Sequence, residues 1–301
     1  MSVVLITGCS SGFGLLTAAR LAAGGHAVYA TMRDLSRKEQ LLEEVEKRGG
    51  NVHLLQMDVT HDGSISSAAN QIAEEQGKLH GLINNAGYGI GGFFEDLTEE
   101  EIRNQMETNF FGVQKVSRAF LPLMRRTASY AGEPPVQIIN ISSPQGRSPY
   151  PGMSAYAASK WALEGFSESL YFELKPFGIS VVVLEPGAHW TPGFAENARR
   201  AERTGDPESP YSPLVKFLEK RRQRIMETGF GVGDPEDVAT FIQKIIDDPN
   251  PRFRYVIGRV AKLRLFLRDL LPFRWFSSLL LRVVFGRGGR FSPQVPDQRA
   301  R

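Results

Sequence analysis

Apolar runs and amphipathic stretches alternate along the chain from its first residues. SVVLITG (2–8) is apolar on both faces and ends in glycine, as a strand buried inside a parallel sheet reads. GFGLLTAARLAAGG (12–25) has helical spacing and a Gly-Gly stop. The same alternation predicts strands over 26–33, 51–60 and 79–87, and helices over 36–50 and 64–77. Further on it predicts a long helix over 98–126, a strand over 135–143 and a helix from 154 to Pro176, where proline forces an end. A strand over 178–187, a helix over 234–246 and a last strand over 254–258 complete it. Asp234 is the expected cap of that last helix, with Pro235 in its first turn.

Strands that alternate with helices across short glycine-marked turns imply βαβ units, a parallel sheet and right-handed crossovers, hence an α/β fold. Residues 188–231 break the rhythm and are rich in Pro, Gly, Glu and Arg. We therefore expect one domain over 1–258, including an irregular substrate loop at 188–231, and an apolar-basic extension over 259–301.

Charge sharpens that division. The 301 residues carry a net charge of +3, but from residue 252 onward 12 basic side chains face only Asp269 and Asp297. The body is mildly acidic and the tail strongly basic. The basic pI thus belongs to the tail, and no nucleic-acid-binding module accompanies it. Cys9 is the single cysteine, so neither an intramolecular disulfide nor a cysteine metal site can form, and no metal is expected. MSVVLITG has no basic n-region or long apolar stretch, and no run approaches the roughly 20 apolar residues of a spanning helix. The expectation is a cytoplasmic protein.

TGCSSGFG (7–14) leaves a strand and opens a helix. In that context Gly8 allows the tight turn, Gly12 lets backbone approach a pyrophosphate and Gly14 lets the helix pack closely. The helix N-terminus offers free N–H groups to phosphate oxygens. This turn, NNAG (84–87), the Asn of TNFFG (Asn109), SSPQG (142–146), YAASK (156–160) and PGAHWT (186–191) occur in the order and at the spacing of the short-chain dehydrogenases/reductases. The chain resembles that family over residues 1–258, and its TGxxxGxG spacing argues against the extended branch of epimerases and dehydratases.

The resemblance implies a single Rossmann-type domain: a seven-stranded parallel sheet with helices on both faces, followed here by the basic amphipathic tail. It also implies a catalytic tetrad of Asn109, Ser143, Tyr156 and Lys160. The residue chemistry agrees. Hydride transfer to a carbonyl builds negative charge on oxygen, and a proton donor must meet it. Tyrosine ionises near about 10, and Lys160, one helical turn on, favours the tyrosinate. Ser143 ends a strand and can donate to the developing oxyanion, with Ser142 as the rival serine. Asn109 is implied as the residue that bends its helix and holds a water beside Lys160.

By the same resemblance Ser10, Ser11, Phe13, Asp58, Val59, Asn85, Ala86, Gly87, Pro186, Gly187 and Thr191 join Gly8, Gly12, Gly14, Tyr156 and Lys160 around the cofactor. An NAD site ends its second strand with an acid on the ribose 2′-OH. Here Thr31 and Met32 stand there and Arg33 follows, able to pair with a 2′-phosphate, so NADP(H) is expected. Asp34 is the competing acid, one step late.

Phe93, Gln145, Tyr150, Met153, His189 and Trp190 are the candidate substrate residues. They are mostly apolar or aromatic and suit a bulky hydrophobic alcohol or ketone. The layout is most similar to the hydroxysteroid and retinol dehydrogenase branch, and steroid-, retinoid- or polyketide-like substrates follow as expectations. The helix bearing Trp161, Phe166 and Leu170 suits that family's homodimer or homotetramer contact. In the tail, Pro272 splits LRLFLRDLLPFRWFSSLLLRVVFG (263–286) into two amphipathic helices. They either pack on the domain, roof the cleft, meet a partner, or make peripheral membrane contact with anionic lipid. A catalytically idle NADP-binding sensor or scaffold on the same fold is the alternative function; a complete tetrad argues against it.

Overall fold

The computed structural model describes residues 1–189, 199–229 and 231–285. Seven strands pair in parallel as one sheet: β1 (Val3–Ile6), β2 (Ala27–Met32), β3 (Val52–Gln56), β4 (Gly81–Asn84), β6 (Val136–Ile141), β7 (Ile179–Pro186) and β9 (Arg254–Ile257). Their spatial order is β3-β2-β1-β4-β6-β7-β9. β5 (Ile90–Gly91) and β8 (Arg199–Arg200) form a separate parallel pair.

Both faces of the sheet are covered, which is why its central strands lack polar alternation. On one face α1 (Gly12–Ala23), α2 (Glu39–Lys47) and α8 (Pro235–Asp247) bury Leu15, Leu21, Leu41, Val45, Ile242 and Ile245. On the other, α3 (Asp62–Gln76), α5 (Gly112–Ala128) and α6 (Ser154–Leu174) bury Ile65, Ile72, Phe120, Met124, Leu170 and Leu174. The chain winds outward from β1 to β3 and then restarts at β4. The crevice at the carboxyl ends of β1 and β4 is therefore the topological switch point where such sheets bind ligands.

The long helix expected over 98–126 is present with one interruption. α4 (Glu99–Met106) starts at a capping box, with Glu101 N–H donating to Thr98 Oγ1 at 3.2 Å and Thr98 N–H to Glu101 Oε2 at 2.8 Å. A π-helical turn over Glu107–Phe111 then leads into α5. Asp234 caps α8 as expected, accepting from Glu236 N–H at 2.9 Å. The 188–231 segment contains a helix that its composition hides, α7 (Ser212–Thr228). Leu214, Leu218 and Ile225 share one face, but Pro213 and the charged run Glu219–Arg222 let the stretch pass for loop. Of the three residues expected at a subunit contact, Leu170 is buried against the sheet and Phe166 packs edge-on to Phe110 at 6.1 Å. Trp161 alone faces outward.

The tail forms two helices split at Pro272: α9 (Arg259–Leu270) and α10 (Phe273–Phe285). Ala261 and Leu265 bury one side of α9, Phe276 and Val284 one side of α10.

Candidate active site

Gly8 and Gly12 hold φ of +74° and +63°, values that a side chain would strain. The loop they shape is stitched to the exit of β4. Thr7 Oγ1 accepts from Asn85 N–H at 3.0 Å and Ala86 N–H at 2.8 Å, and Asn85 Nδ2 donates to the Thr7 and Gly8 carbonyls at 2.8 and 3.1 Å. Asn85 and Ala86 thus hold one wall of the crevice, and Thr7, which takes part in three of these four bonds, was readable only as part of a motif. Ser10 and Ser11 sit in the turn, Ser11 at the N-cap of α1.

A Cβ on Gly14 would fall well inside contact with the Gly8 carbonyl oxygen and 2.5 Å from Asn85 Nδ2. Gly14→Ala is therefore expected to destabilise the fold by about 1–3 kcal/mol, as overpacking does, and to weaken dinucleotide binding because it pushes α1 off the loop. Thermal melting and an NADPH titration check it; an unchanged Tm and affinity would show that helix and loop are separable.

At the end of β2, Thr31 and Met32 are buried, and Thr31 Oγ1 donates to the Ile6 carbonyl at 3.1 Å. Arg33 is exposed. Asp34 turns away into the next turn, where its carboxylate accepts Ser36 N–H at 2.9 Å, a bond that holds its pKa below the usual range. Asp58 likewise closes its own loop, Oδ1 accepting from Thr60 N–H and Oγ1 at 2.9 and 2.7 Å. Val59 is buried against Gly112 of α5. A dinucleotide fits this chain: two left-handed glycines, the N-terminus of α1 at the second of them, and a cation at the end of β2.

The tetrad residues converge where β4, β6 and α6 meet. The π-helical turn carries Asn109, which is buried, and its side chain clamps a backbone. Nδ2 donates to the Tyr88 carbonyl at 2.9 Å and to Ser159 Oγ at 3.1 Å, while Oδ1 accepts Tyr88 N–H at 3.1 Å. Gln105 continues the clamp, donating to the Tyr88 carbonyl at 2.7 Å and accepting Ile90 N–H at 2.8 Å. Ser159 Oγ in turn donates to the Tyr156 carbonyl at 2.7 Å. Asn109 therefore fixes the loop beyond Gly87 against the helix that carries Tyr156. Gln105, Ser159 and Tyr88 are additions that the sequence did not signal, because polar side chains on a helix usually face water.

Ser143 caps the turn after β6, accepting Gln145 N–H at 3.2 Å, and its hydroxyl interacts with that of Tyr156. Ser142 bonds β7 through its N–H, 2.7 Å from the Leu184 carbonyl, and its buried hydroxyl meets no partner among the described residues, whereas it is the Ser143 hydroxyl that interacts with Tyr156. Lys160 is buried, its Nζ donating to the Ile141 carbonyl at 2.8 Å and lying 5.8 Å from the Tyr156 ring centroid. Burial brings the ammonium down to about 8, with Glu164 acting the other way. For Tyr156 the expected depression is not what the packing produces. Burial raises its pKa, and the Ser143 interaction offsets this only in part. The hydroxyl is thus kept protonated near neutrality, as a proton donor must be.

Behind Lys160 lies a charge cluster absent from the sequence reading. Arg254 of β9 donates to Glu164 Oε2 at 2.8 Å and stands 2.9 Å from Glu185 Oε1, the latter 0% exposed in β7. Arg147 approaches the same Glu185 oxygen at 3.6 Å and pairs with Asp269 of α9. A glutamate inside the apolar run VVVLEP was the available signal, since buried carboxylates are almost always paired.

The substrate candidates separate. Phe93 stacks on Tyr211 with centroids 4.5 Å apart, and with Tyr150 they line a hollow of about 490 Å³ that also touches Ser154, Ala157 and Trp161. These α6 positions lie roughly 100–160° around the helix from Tyr156, so the hollow opens on a different face from the hydroxyl. Met153 lies closer to the chemistry, its side chain beside Gly89, which itself abuts the Tyr156 ring. Gln145 lies two residues beyond Ser143, and its Oε1 is buried. His189 packs under Gly233 and edge-on to Phe13, 6.4 Å between centroids, on the glycine-loop side of the crevice and outside the hollow. Pro186 ends β7, and Gly187 is required by close packing, since a Cβ would meet the Ile257 carbonyl and Ala261. Trp190 and Thr191 lie outside the described residues.

A parallel sheet with a glycine-loop dinucleotide cradle at its switch point, and a Tyr–Lys pair facing Ser143 beside it, defines the class of nicotinamide-dependent oxidoreductases. The comparisons narrow the class. The model of the short chain dehydrogenases matches residues 2–202, and the chain belongs to that family. It is 40% identical over 264 residues to a 3-ketodihydrosphingosine reductase of Bacteroides thetaiotaomicron, covering 87% of this chain and 89% of that protein. It is 33% identical over 301 residues to human 17-beta-hydroxysteroid dehydrogenase type 1, covering 95% and 86%. A solved short-chain dehydrogenase of Streptomyces avermitilis superposes with a TM-score of 0.72 at 33% identity, covering 89% and 97%.

Proposed function

We propose that the protein is an NADP(H)-dependent oxidoreductase that transfers a hydride between the nicotinamide and a bulky hydrophobic secondary alcohol or ketone of steroid-, retinoid- or polyketide-like character. The end of β2 carries the cofactor choice: the position of an NAD-type acid is filled by buried Thr31 and Met32, Asp34 is engaged by Ser36, and Arg33 is exposed next to them. When bound, the nicotinamide supplies or accepts the hydride. Tyr156 holds the proton that meets the carbonyl oxygen, and the Ser143 hydroxyl donates to the same oxygen. Lys160, fixed by Ile141, keeps a cation beside the phenol and is placed to hold the ribose hydroxyls. Met153 beside the Tyr156 ring, and the relatives named as a 3-ketodihydrosphingosine reductase and a 17-beta-hydroxysteroid dehydrogenase, support a large apolar substrate. A homodimer or homotetramer through the outer face of α6 fits the exposed Trp161 and Phe172.

Paired steady-state assays with NADPH and NADH over a panel of bulky ketones test the reading. Arg33→Asp is expected to shift the kcat/KM ratio toward NADH by at least about tenfold, since a charge-assisted pair to phosphate is removed and a 2′-OH acceptor introduced. An unchanged ratio refutes the assignment of Arg33. If the wild type binds NADPH but turns over no carbonyl, the idle sensor is the better reading.

A further inference from the structure

Exposed large apolar side chains concentrate at the C-terminal end of the described residues. Leu263, Phe266 and Leu270 of α9 are 59%, 61% and 63% exposed, and Phe273 and Trp275 of α10 are 68% and 65%. Val260, Leu279, Leu281 and Val283 extend the patch. The spacing 260-263-266-270 keeps one face of α9 apolar, opposite the buried Ala261 and Leu265. These helices therefore do not spend their apolar residues on the domain. They present a second apolar face outward, on a scale a water-exposed surface rarely tolerates.

Interleaved with that face are Arg259, Lys262, Arg264, Arg268, Arg274 and Arg282. Asp269 is the one acid between 259 and 285, and it is paired with Arg147. A second copy of the chain across a two-fold axis would set these cations against themselves. An anionic surface with an apolar interior complements both properties at once. Among the described residues no helix is long and apolar enough to cross a membrane, so the contact would lie in the interface plane.

We propose that α9 and α10 form an interfacial platform that docks the protein on anionic phospholipid. Arg264 stacks on Tyr150 with its guanidinium 4.2 Å from the ring centroid, which ties the platform to the rim of the aromatic hollow. Docking in this way places that rim at the lipid surface. It is independent of the cofactor and substrate assigned above.

Co-sedimentation of the full chain with phosphatidylcholine–phosphatidylglycerol vesicles tests the platform. The wild type is expected to pellet with them at low salt, more weakly at high salt, and much less with pure phosphatidylcholine. Phe266→Glu combined with Trp275→Glu should lower the partition coefficient at least about tenfold, because exposed aromatic anchors are lost and two negative charges face the lipid. Both positions point outward, so circular dichroism and Tm should be unchanged; Leu263→Ser with Leu279→Ser serves if they are not. A wild type that stays in the supernatant at low salt overturns the proposal. So does binding that neither pair of substitutions weakens, or a face that proves to join two copies, with the Glu pair dissolving a dimer and leaving vesicle binding intact.

Discussion

Tyr156→Phe is expected to reduce turnover by about a thousandfold while leaving NADPH affinity within about twofold. The substitution removes one oxygen from a buried ring and keeps its packing against Gly89 and its place beside Lys160. The general acid is lost, an effect of about 10²–10⁴. The backbone clamp on this residue survives, because Ser159 bonds the Tyr156 carbonyl and the side chain plays no part in that bond. Single-turnover kinetics with a ketone, paired with a fluorescence titration of NADPH, separates the two quantities. Substantial turnover in the variant would mean that Ser143 or solvent delivers the proton, and the role assigned to Tyr156 would fall.

Arg254→Met should cost about 3 kcal/mol of stability at neutral and higher pH and lower Tm by on the order of 5–10 °C. Arg254 stands between Glu164 and Glu185, and its removal leaves two buried carboxylates without the cation that faces both. Burial raises Glu185 from about 4.5 to about 7, with Glu164 adding to the rise and Arg147 and Arg254 opposing it. Its folded form therefore holds a proton that the unfolded chain has already released between those values. Protons bound in the folded state exceed those bound in the unfolded state across that window, so this contribution to stability falls as pH rises through it. Arg254 opposes the rise of Glu185, so its loss moves that carboxyl still higher; the deficit of the variant should grow as pH rises past about 7 and shrink on acidification, as protonation discharges Glu185. Urea denaturation at about pH 5 and about pH 8 checks the sign. A deficit that does not vary with pH would point to lost packing of Arg254 on Phe253 in place of exposed carboxylate charge.

Both results probe parts of one site that differ in how openly the chain announces them. Tyr156 and Lys160 share a helix, and a four-residue spacing is enough to put them on one side of it. The glycines of TGCSSGFG are also local, because left-handed φ and close approach exclude side chains wherever the turn forms. The alternation of strands and helices follows from apolar periodicity and caps such as Asp234, which act within a few residues. The end of β2 is of the same kind, since the absence of an acid there is a fact of composition.

The charge behind Lys160 is another matter. Glu164, Glu185, Arg147 and Arg254 are up to 107 residues apart, and only the pairing of β6 with β7 and β7 with β9 brings them together. The same holds for the grip of Asn109 and Gln105 on Tyr88, which depends on a π-helical turn in a stretch that reads as plain helix. α7 was hidden because its short apolar face, Leu214, Leu218 and Ile225, is embedded in a stretch whose Pro, Gly and charge content reads as loop. The upward shift of Tyr156 was also beyond local reading. A cation at i+4 argues for depression, but burial is decided by what lies above the helix, and here desolvation is the larger effect. The sequence by itself determined the fold class, the glycine turn and the pairing of Tyr156 with Lys160 on one helix face, because each rests on spacings within one turn or one strand. Tertiary structure alone decided how Asn109, Ser143, Tyr156 and Lys160 are held and charged, and that the tail keeps an apolar face outward, because burial and long-range pairing are properties of the packed chain.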